Sequence, residues 1–253
     1  MARVNWSHDE TVVALGLYFR VTFSKVNMHH PEIVRVAGML GRTPSAMAMK
    51  VVNIARCDPT LKAKGISGLK NGAKVESEVW AEYDGQFEKL SEDYNRILDG
   101  KISSVVETDE DLKIPSGLDK ITTTKVRVNQ SFFRNAVLSA YETTCCITGI
   151  NDVRLLIASH IQPWAKCANG NDRTTPENGL CLNTLHDKAF DRGLLTLDGD
   201  FKVVLSSSLK AALTHDAYDR YFAGYEGKII KLPLHHRPRK EFLEYHNNYV
   251  FVA

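Results

Sequence analysis

Three short motifs, close together in the second half of the chain, constrain its fold more than any other feature. They are the segments 158–164 (ASHIQPW), 177–180 (ENGL) and 185–193 (LHDKAFDRG). The apolar run 154–158 is short enough for a strand, and Leu180 and Leu182 alternate as in a second strand. The third motif suits a short helix that Gly193 closes. The order strand, loop, strand, helix predicts a ββα unit.

The polar residues of these motifs suit the hydrolysis of a phosphodiester bond. That reaction needs a base for the attacking water and charge relief on the phosphate and the leaving oxygen. His160, at the predicted strand end, is placed to be the base, because a neutral imidazole accepts a proton near pH 7. We expect Asn178 to bridge the loop back to the strand and to orient His160 through backbone hydrogen bonds. Candidate ligands for a divalent cation are His186, Asp187 and Asp191.

The same half of the chain resembles the HNH endonucleases, in the branch common among bacterial restriction-type enzymes. The resemblance spans roughly 125–253. It rests on the segments 146–149 (CITG), 158–164, 178–180 and 190–194 (FDRGL), with weaker likeness at 130–141 and 243–246. It implies that His160 is the general base, Asn178 the middle Asn and the His186 region the metal-binding third element. It also implies Mg²⁺, Mn²⁺ or a similar ion, and products with 5′ phosphate and 3′ hydroxyl ends.

The chain departs from this family pattern at two positions. Many relatives carry a metal-binding Asp or His just before the base, where this chain has Ser159, a poor ligand for a hard cation. In many relatives the third His lies three residues before the Phe of the FDRG motif. Here that place is Asp187, and His186 comes one residue earlier. Adjacent helical residues diverge by about 100°, so we take His186 as the first choice and Asp187 with Asp191 as the second.

Each candidate also has a structural interpretation. A histidine at a strand end, an asparagine in a turn, a histidine that caps a helix and an aspartate paired with an arginine all occur without catalysis. These four structural interpretations apply, in that order, to His160, Asn178, His186 and Asp191. The spacing of three further histidines fits no compact metal site, and we expect them to be structural or on the surface: His235, His236 and His246.

The first part of the chain, 1–98, has a helical pattern. Ser7 and Glu10 form a capping box for a first helix. Pro31 suits the first turn of a second helix, which Gly41 ends. Thr43 caps a third helix with apolar residues at helical spacing. One further amphipathic helix is predicted over 75–98.

A turn with glycine at 40–43 (LGRT) joins the second and third helices, as in a helix-turn-helix. With the early tryptophan and the acidic pair after it, this segment resembles Myb-like or SANT-like domains. Residues 33–74 hold eight basic residues and one acidic residue, a balance of +7 that favours a polyanionic partner. The predicted DNA-contacting residues are Arg42, Ser45, Lys50 and Asn53.

These patterns predict an α+β protein with a helical DNA-binding domain (1–98), a linker (99–125) and an HNH nuclease domain (126–253). The five cysteines have no regular spacing, so we expect reduced thiols and no structural zinc site. No apolar run approaches the roughly 20 residues that cross a bilayer, and the N-terminus lacks the apolar core of a signal peptide, so we expect a cytoplasmic protein.

The predicted function is metal-dependent cleavage of double-stranded DNA, by a homodimer if the protein is a restriction enzyme. Two alternatives stay open. One is a DNA-binding regulator with a decayed nuclease fold, and the other is a nonspecific or RNA-directed defence nuclease.

Overall fold

Capping residues fix where the first three helices begin. The computed structural model describes residues 5–63, 65, 74–100 and 120–253, and it gives no side chains for 120–124. Helix α1 (His8–Arg20) begins at the capping box of Ser7 and Glu10. Helix α2 (Pro31–Met39) starts at its proline, and Gly41 follows with a φ of 65°. Helix α3 (Pro44–Ile54) is capped by the Thr43 hydroxyl. The structure confirms these predicted caps.

The predicted helix over 75–98 is wrong in one respect, because the structure contains two helices there. After the short α4 (Pro59–Ala63) come α5 (Lys74–Tyr83) and α6 (Phe87–Asp99). Gly85 separates α5 from α6 with a φ of 69°, in the left-handed region that ends a helix. The apolar periodicity continues across the break, which is why the sequence pattern did not reveal it.

Helix α1 is the centre of this helical region, since it packs against α3, α5 and α6. Its approach to α6 requires a residue without a side chain, because a Cβ on Gly16 would lie 2.2 Å from the Tyr94 ring. Tyr18 is buried beside it and donates a hydrogen bond to Asp58. The region therefore has a real apolar core.

Helix α7 (Lys120–Ala140) contains most of the segment 130–141 that resembles the HNH endonucleases. It begins inside the predicted linker 99–125, of which residues 101–119 lie outside the described part of the chain. The polar stretch after the first motif, expected to be a loop, contains a short helix, α8 (Gly170–Thr174).

The predicted ββα unit is present. Strand β1 (Leu156–His160) pairs antiparallel with β2 (Gly179–Asn183), and this register sets His160 opposite Gly179. Helix α9 (Thr184–Asp191) follows at once and packs against both strands. Every residue of β2 is buried, rather than every second one, because α9 covers the strand and the Cys146 backbone pairs with its outer edge through Cys181.

A second hairpin and three helices complete the C-terminal region. They are β3 (Leu195–Leu197), β4 (Val203–Leu205), α10 (Ser207–Ala212), α11 (His215–Tyr221) and α12 (Lys240–Tyr249). The connection of this hairpin is the loop 198–202, in which the Asp198 carboxylate accepts hydrogen bonds from the backbone of Asp200 and Lys202.

The chain divides into an N-terminal unit (Met1–Ser139 with Asn169–Thr175) and a C-terminal unit (Ala140–Ala168 with Pro176–Ala253). The first is helical in its described residues and the second combines two hairpins with helices, so the predicted α+β class is confirmed. The predicted domain limits at 98 and 126 stay predictions. All five cysteines are free thiols, and four of them are buried. Within the described residues, no helix has the length and hydropathy needed to cross a membrane.

Candidate functional site

His160 is the last residue of β1 and is half-buried. The Trp164 ring meets the imidazole edge-on, with ring centroids 5.6 Å apart and planes at 90°. Three residues of loop separate the two rings, so the 3-10 turn at Trp164–Lys166 places an aromatic wall beside the imidazole. The ring is thus held at the end of the hairpin.

Asn178 ties the loop after His160 to the start of β2. Its side chain is fully buried, its carbonyl oxygen accepts a hydrogen bond from Gln162 N (2.8 Å), and its amide donates to Gln162 O (3.2 Å). Its backbone carbonyl accepts from Ile161 N at 2.9 Å. These are the bridging hydrogen bonds expected of Asn178, and they fix the chain on the carboxyl side of His160.

Cys167 joins the same group, although its sequence gave no signal of this. The Asn178 amide lies 3.4 Å from its sulfur, and the thiol lies 3.6 Å from the carbonyl oxygens of Gln162 and Pro163. The thiol is buried. A small side chain with a weak donor therefore closes the loop that begins at His160.

His186 lies on α9 with its ring turned into the protein. Its Nδ1 is 3.1 Å from the Asn183 side-chain oxygen, which also accepts from the His186 backbone N. The ring packs against Phe222 and Tyr225, and only 2% of the residue is exposed. Burial lowers the pKa of His186. The contacts of Nδ1 and of the ring faces are those of a core histidine, whereas the buried Nε2 has no hydrogen-bond partner among the described residues.

The two acidic candidates on α9 differ in exposure. Asp187 is 4% exposed, whereas Asp191, four residues later, is exposed. Since His186 points into the aromatic core and its neighbour is rotated by about 100° around the helix axis, Asp187 faces a different direction. A carboxylate is the kind of group that binds a hard cation.

Ser159, the residue before the candidate base, is also buried, and its Oγ has no hydrogen-bond partner among the described residues. Across the described C-terminal unit, no three ligand atoms of His, Cys, Asp or Glu converge within 4.8 Å. A single carboxylate such as that of Asp187 is chemically compatible with a cation that keeps most of its water ligands. Mg²⁺ binds in this way, through one or two carboxylates, waters and substrate phosphates.

Glu177, just before Asn178, is a residue that sequence reasoning missed. Its carboxylate accepts from Arg239 Nε, and its backbone carbonyl accepts from Arg239 N at 3.0 Å. Burial raises the pKa of Glu177, but the hydrogen bond with His236 and the charge of Arg239 outweigh burial and hold that pKa below its ordinary value. The pair is 62 residues apart in sequence, so only folding reveals it.

Two of the predicted DNA-contacting residues are bound inside the N-terminal unit. Lys50 is 3% exposed and pairs with Glu76 at 2.8 Å, so it does not lie on an exposed flank of α3. The reason is that α5 lies across that flank and provides the buried carboxylate. Arg42 binds both carboxylate oxygens of Glu10 and stacks over the Trp6 ring, 4.7 Å from its centroid.

The other two predicted contacts are more open. Ser45 is exposed in the first turn of α3, and Asn53 is half-buried near the end of that helix. Met49 lies between them in sequence and is 52% exposed, so the accessible side of α3 is less basic than its composition indicates.

The model of the HNH endonuclease family matches residues 145–198. The match includes β1, Asn178, β2 and α9, which are the elements that carry the candidate site. Residues 145–198 therefore carry the sequence pattern of an HNH endonuclease domain. The predicted nuclease is therefore confirmed at the level of this domain, and HNH nucleases generally use a divalent metal.

A search of curated proteins found no match. One similar solved structure is titled "Modification dependent TagI restriction endonuclease". It is 19% identical, has a TM-score of 0.33 and covers 47% of this chain and 37% of that chain. The chain thus spans little more than a third of that protein, and a likeness of this size supports no argument about function.

Proposed function

We propose that this protein is a metal-dependent DNA endonuclease in which His160 is the general base. The family match over residues 145–198 is the observation that carries the proposal. The position of His160 at the end of β1, beside Trp164 and before the loop bound by Asn178, supports its role.

In the proposed reaction a His160 ring nitrogen takes a proton from a water molecule, which attacks the phosphorus. Positioned acid–base groups of this kind contribute typically about 10²- to 10⁴-fold to rate. Asn178 holds the loop so that the imidazole keeps its direction. Trp164 limits rotation of the ring and covers one of its edges.

We propose Asp187 as the protein ligand on α9, in preference to His186, with Ser159 and Asp191 as secondary candidates. The Nδ1 hydrogen bond of His186 to Asn183 and its aromatic neighbours favour a structural role for that ring. When bound, Mg²⁺ or a similar cation would relieve charge on the phosphate and on the leaving 3′ oxygen.

Nicking of supercoiled plasmid in Mg²⁺ or Mn²⁺ tests the proposal. The wild type should nick the plasmid, EDTA should stop it, and His160→Ala should lower the rate by about 10²-fold or more. His215→Ala is the matched control, since His215 is an exposed histidine of the same unit. Absence of nicking by the wild type, or full activity of His160→Ala, overturns the proposed endonuclease activity. Either result favours a DNA-binding regulator with a decayed nuclease fold.

Parallel reactions with RNA, and with methylated and unmethylated DNA, separate the DNA enzyme from an RNA-directed or nonspecific one. Manganese binding by electron paramagnetic resonance then tests the ligand. Asp187→Asn should weaken binding, whereas His186→Gln should leave it within about twofold. The reverse result restores His186 as the ligand.

DNA contact by the N-terminal unit remains a prediction. Arg42 and Lys50 no longer support it, because both charges are bound within that unit. Ser45 and Asn53 are the predicted residues that stay accessible on α3.

A further inference from the structure

The C-terminal unit has a second polar feature outside the HNH match, here called the basic strap (residues 228–240). It has no acidic residue, and its five basic residues are Lys228, Lys231, Arg237, Arg239 and Lys240. All five are exposed. The strap follows the second hairpin and leads into α12, mostly without regular secondary structure.

Backbone hydrogen bonds fix the strap at two places on the HNH domain. Lys231 N donates to Cys146 O at 2.8 Å, and Cys146 N in turn donates to Cys181 O of β2. Arg239 N donates to Glu177 O at 3.0 Å. The strap therefore extends from the level of mid-β2 to the residue just before Asn178.

This path brings its far end to the end of the hairpin where His160 lies. Glu177 and Asn178 immediately precede Gly179, and Gly179 is the β2 residue paired with His160. Arg239 is bound to Glu177 by both backbone and side chain. A guanidinium group is thus positioned on the segment that also carries the proposed orienting residue.

The strap is also stiff. Pro233 and Pro238 are buried and have restricted φ angles, and His235 between them is 5% exposed. Side chains on such a backbone lose less entropy on binding than those on a free loop. Ile230, like the two prolines, is buried, whereas Ile229 and the five cations are exposed.

These cations have few internal partners. Arg237, Lys240 and Lys228 form no ion pair with any residue that the structure describes, and Arg239 uses only its Nε toward Glu177. Lys231 is the exception, since it pairs with Glu142 at 3.0 Å. Four of the five cations can therefore reach an external anion.

We propose that the basic strap binds the phosphate backbone of the DNA duplex and holds it beside His160. Arg239 contacts a phosphate next to the cleaved bond, and Arg237 and Lys240 contact its neighbours on the same face. Backbone contacts of this kind position a duplex without reading its sequence. This inference rests on the proposed endonuclease function and names the surface that presents the substrate to it.

The salt dependence of DNA binding tests the strap. Binding of a labelled duplex by fluorescence anisotropy, in a His160→Ala background without metal, avoids cleavage. The slope of log K against log salt is negative, and each lost phosphate contact lowers its magnitude by about 0.9 for duplex DNA. Arg237→Ala/Lys240→Ala should therefore reduce that magnitude by about 2. Both residues are exposed, and circular dichroism should show an unchanged fold.

Lys210→Ala/Arg220→Ala provides the matched control. Both residues are exposed cations of the same unit, outside the strap, and the charge change is identical. The control should keep the wild-type slope. An equal decrease in the magnitude of the slope for the two double variants would indicate a general effect of charge. That result would overturn the proposal that the strap binds DNA.

The strap and the endonuclease can fail separately. If the wild type nicks plasmid and the strap variant binds DNA with an unchanged slope, the strap is wrong and the enzyme stands. If the wild type does not nick but the slope falls only in the strap variant, the strap stands as a DNA-binding surface and the nuclease is wrong. If the strap substitutions weaken binding of duplex RNA and leave binding of duplex DNA unchanged, DNA is not the partner of the strap.

Discussion

Two pairs of basic residues, one pair in each unit, differ in accessibility. Within residues 33–74 of the N-terminal unit, where the sequence holds eight basic residues and one acidic residue, Lys50 is buried against Glu76 and Arg42 is bound by Glu10. In the C-terminal unit, Arg237 and Lys240 are exposed and form no ion pair with described residues. The charge balance of residues 33–74 therefore did not identify which of their cations are accessible.

The physical reason is that a charge acts on a partner only if it remains in contact with solvent or that partner. A buried ion pair has a field largely cancelled by its own counter-ion, and its removal affects stability first. An exposed cation contributes to association and to salt dependence, and little to stability. Four measurements test how burial determines the effect of a residue in each unit.

The largest expected effect comes from breaking the buried pair in the N-terminal unit. Glu76→Ala should destabilise that unit by about 3–5 kcal/mol, because it removes the closest partner of the buried Lys50 ammonium. Arg56, the other base bound to Glu76, is affected as well. Urea unfolding followed by tryptophan fluorescence provides the measurement.

Glu78→Ala is the matched control for this substitution. Glu78 lies on the same helix but is exposed and paired with Lys74 at i, i+4. Its removal should cost about 0.5 kcal/mol or less. Similar losses for the two variants would show that the burial of Glu76 does not matter.

The second prediction concerns the glycine that ends α9. Gly193 has a φ of 67°, and a Cβ there would lie 2.0 Å from the Val250 carbonyl oxygen. Gly193→Ala should lower the stability of the C-terminal unit by about 3 kcal/mol, through left-handed strain and the clash. Gly199→Ala, which adds its Cβ to open space, should change stability little. Trp164 fluorescence reports on this unit.

The third prediction is that the C-terminal unit loses stability in mild acid through His246. Burial lowers the pKa of His246 to about 4, although the hydrogen bond to Phe190 O and the charge of Asp191 oppose this. Below about pH 6.5 the unfolded chain takes up a proton that the folded ring does not, so stability falls until about pH 4. The loss is at most about 3 kcal/mol, at 1.36 kcal/mol per pKa unit. His186, whose pKa burial also lowers, acts in the same direction.

The N-terminal unit should respond at lower pH. Arg42 holds the pKa of Glu10 below its ordinary value despite burial, so its contribution is present above about pH 4.5 and is lost as the pH falls through the folded pKa. Two histidines of this unit have opposite effects on its stability in acid. A hydrogen bond with Glu82 raises the pKa of His8, whereas burial lowers the pKa of His30.

Acid titration of single-unit tryptophan variants checks this order. A protein with Trp6 and Trp80 replaced by Phe reports on Trp164 alone, and Trp164→Phe reports on the N-terminal unit. Adding His246→Gln should remove most of the pH dependence of the C-terminal unit between pH 6.5 and 4. If the N-terminal unit unfolds at a higher pH than the C-terminal unit, the assignment of the acid sensitivity to His246 is wrong.

The smallest expected effect is that of Arg42→Lys. Loss of the two-pronged contact with Glu10 and of stacking on Trp6 should cost the N-terminal unit about 1 kcal/mol. DNA affinity of the folded protein should not change. Arg35→Lys is the control, because Arg35 also binds both carboxylate oxygens of its partner Glu32 but is itself exposed. A drop in DNA affinity without a drop in stability would restore Arg42 as a DNA contact.

Much of the local structure was predictable because its signals lie within a few residues. The capping box of Ser7, the prolines at the starts of α2 and α3, and Gly193 after α9 each act on the backbone beside them. The order strand, loop, strand, helix was predictable for the same reason. The break at Gly85 was missed because the apolar periodicity continues on both sides of it.

The motifs around His160 and Asn178 were sufficient to predict the match of residues 145–198 to the HNH endonuclease family, because they lie close together in the sequence. The sequence also left His186 and Asp187 as alternatives on one helix. Only tertiary structure turned His186 toward Phe222 and Tyr225, buried Lys50 against Glu76 and brought Arg239 to Glu177. Each of these depends on which distant segment covers a side chain, and burial of that kind is a property of the packed chain rather than of any local pattern.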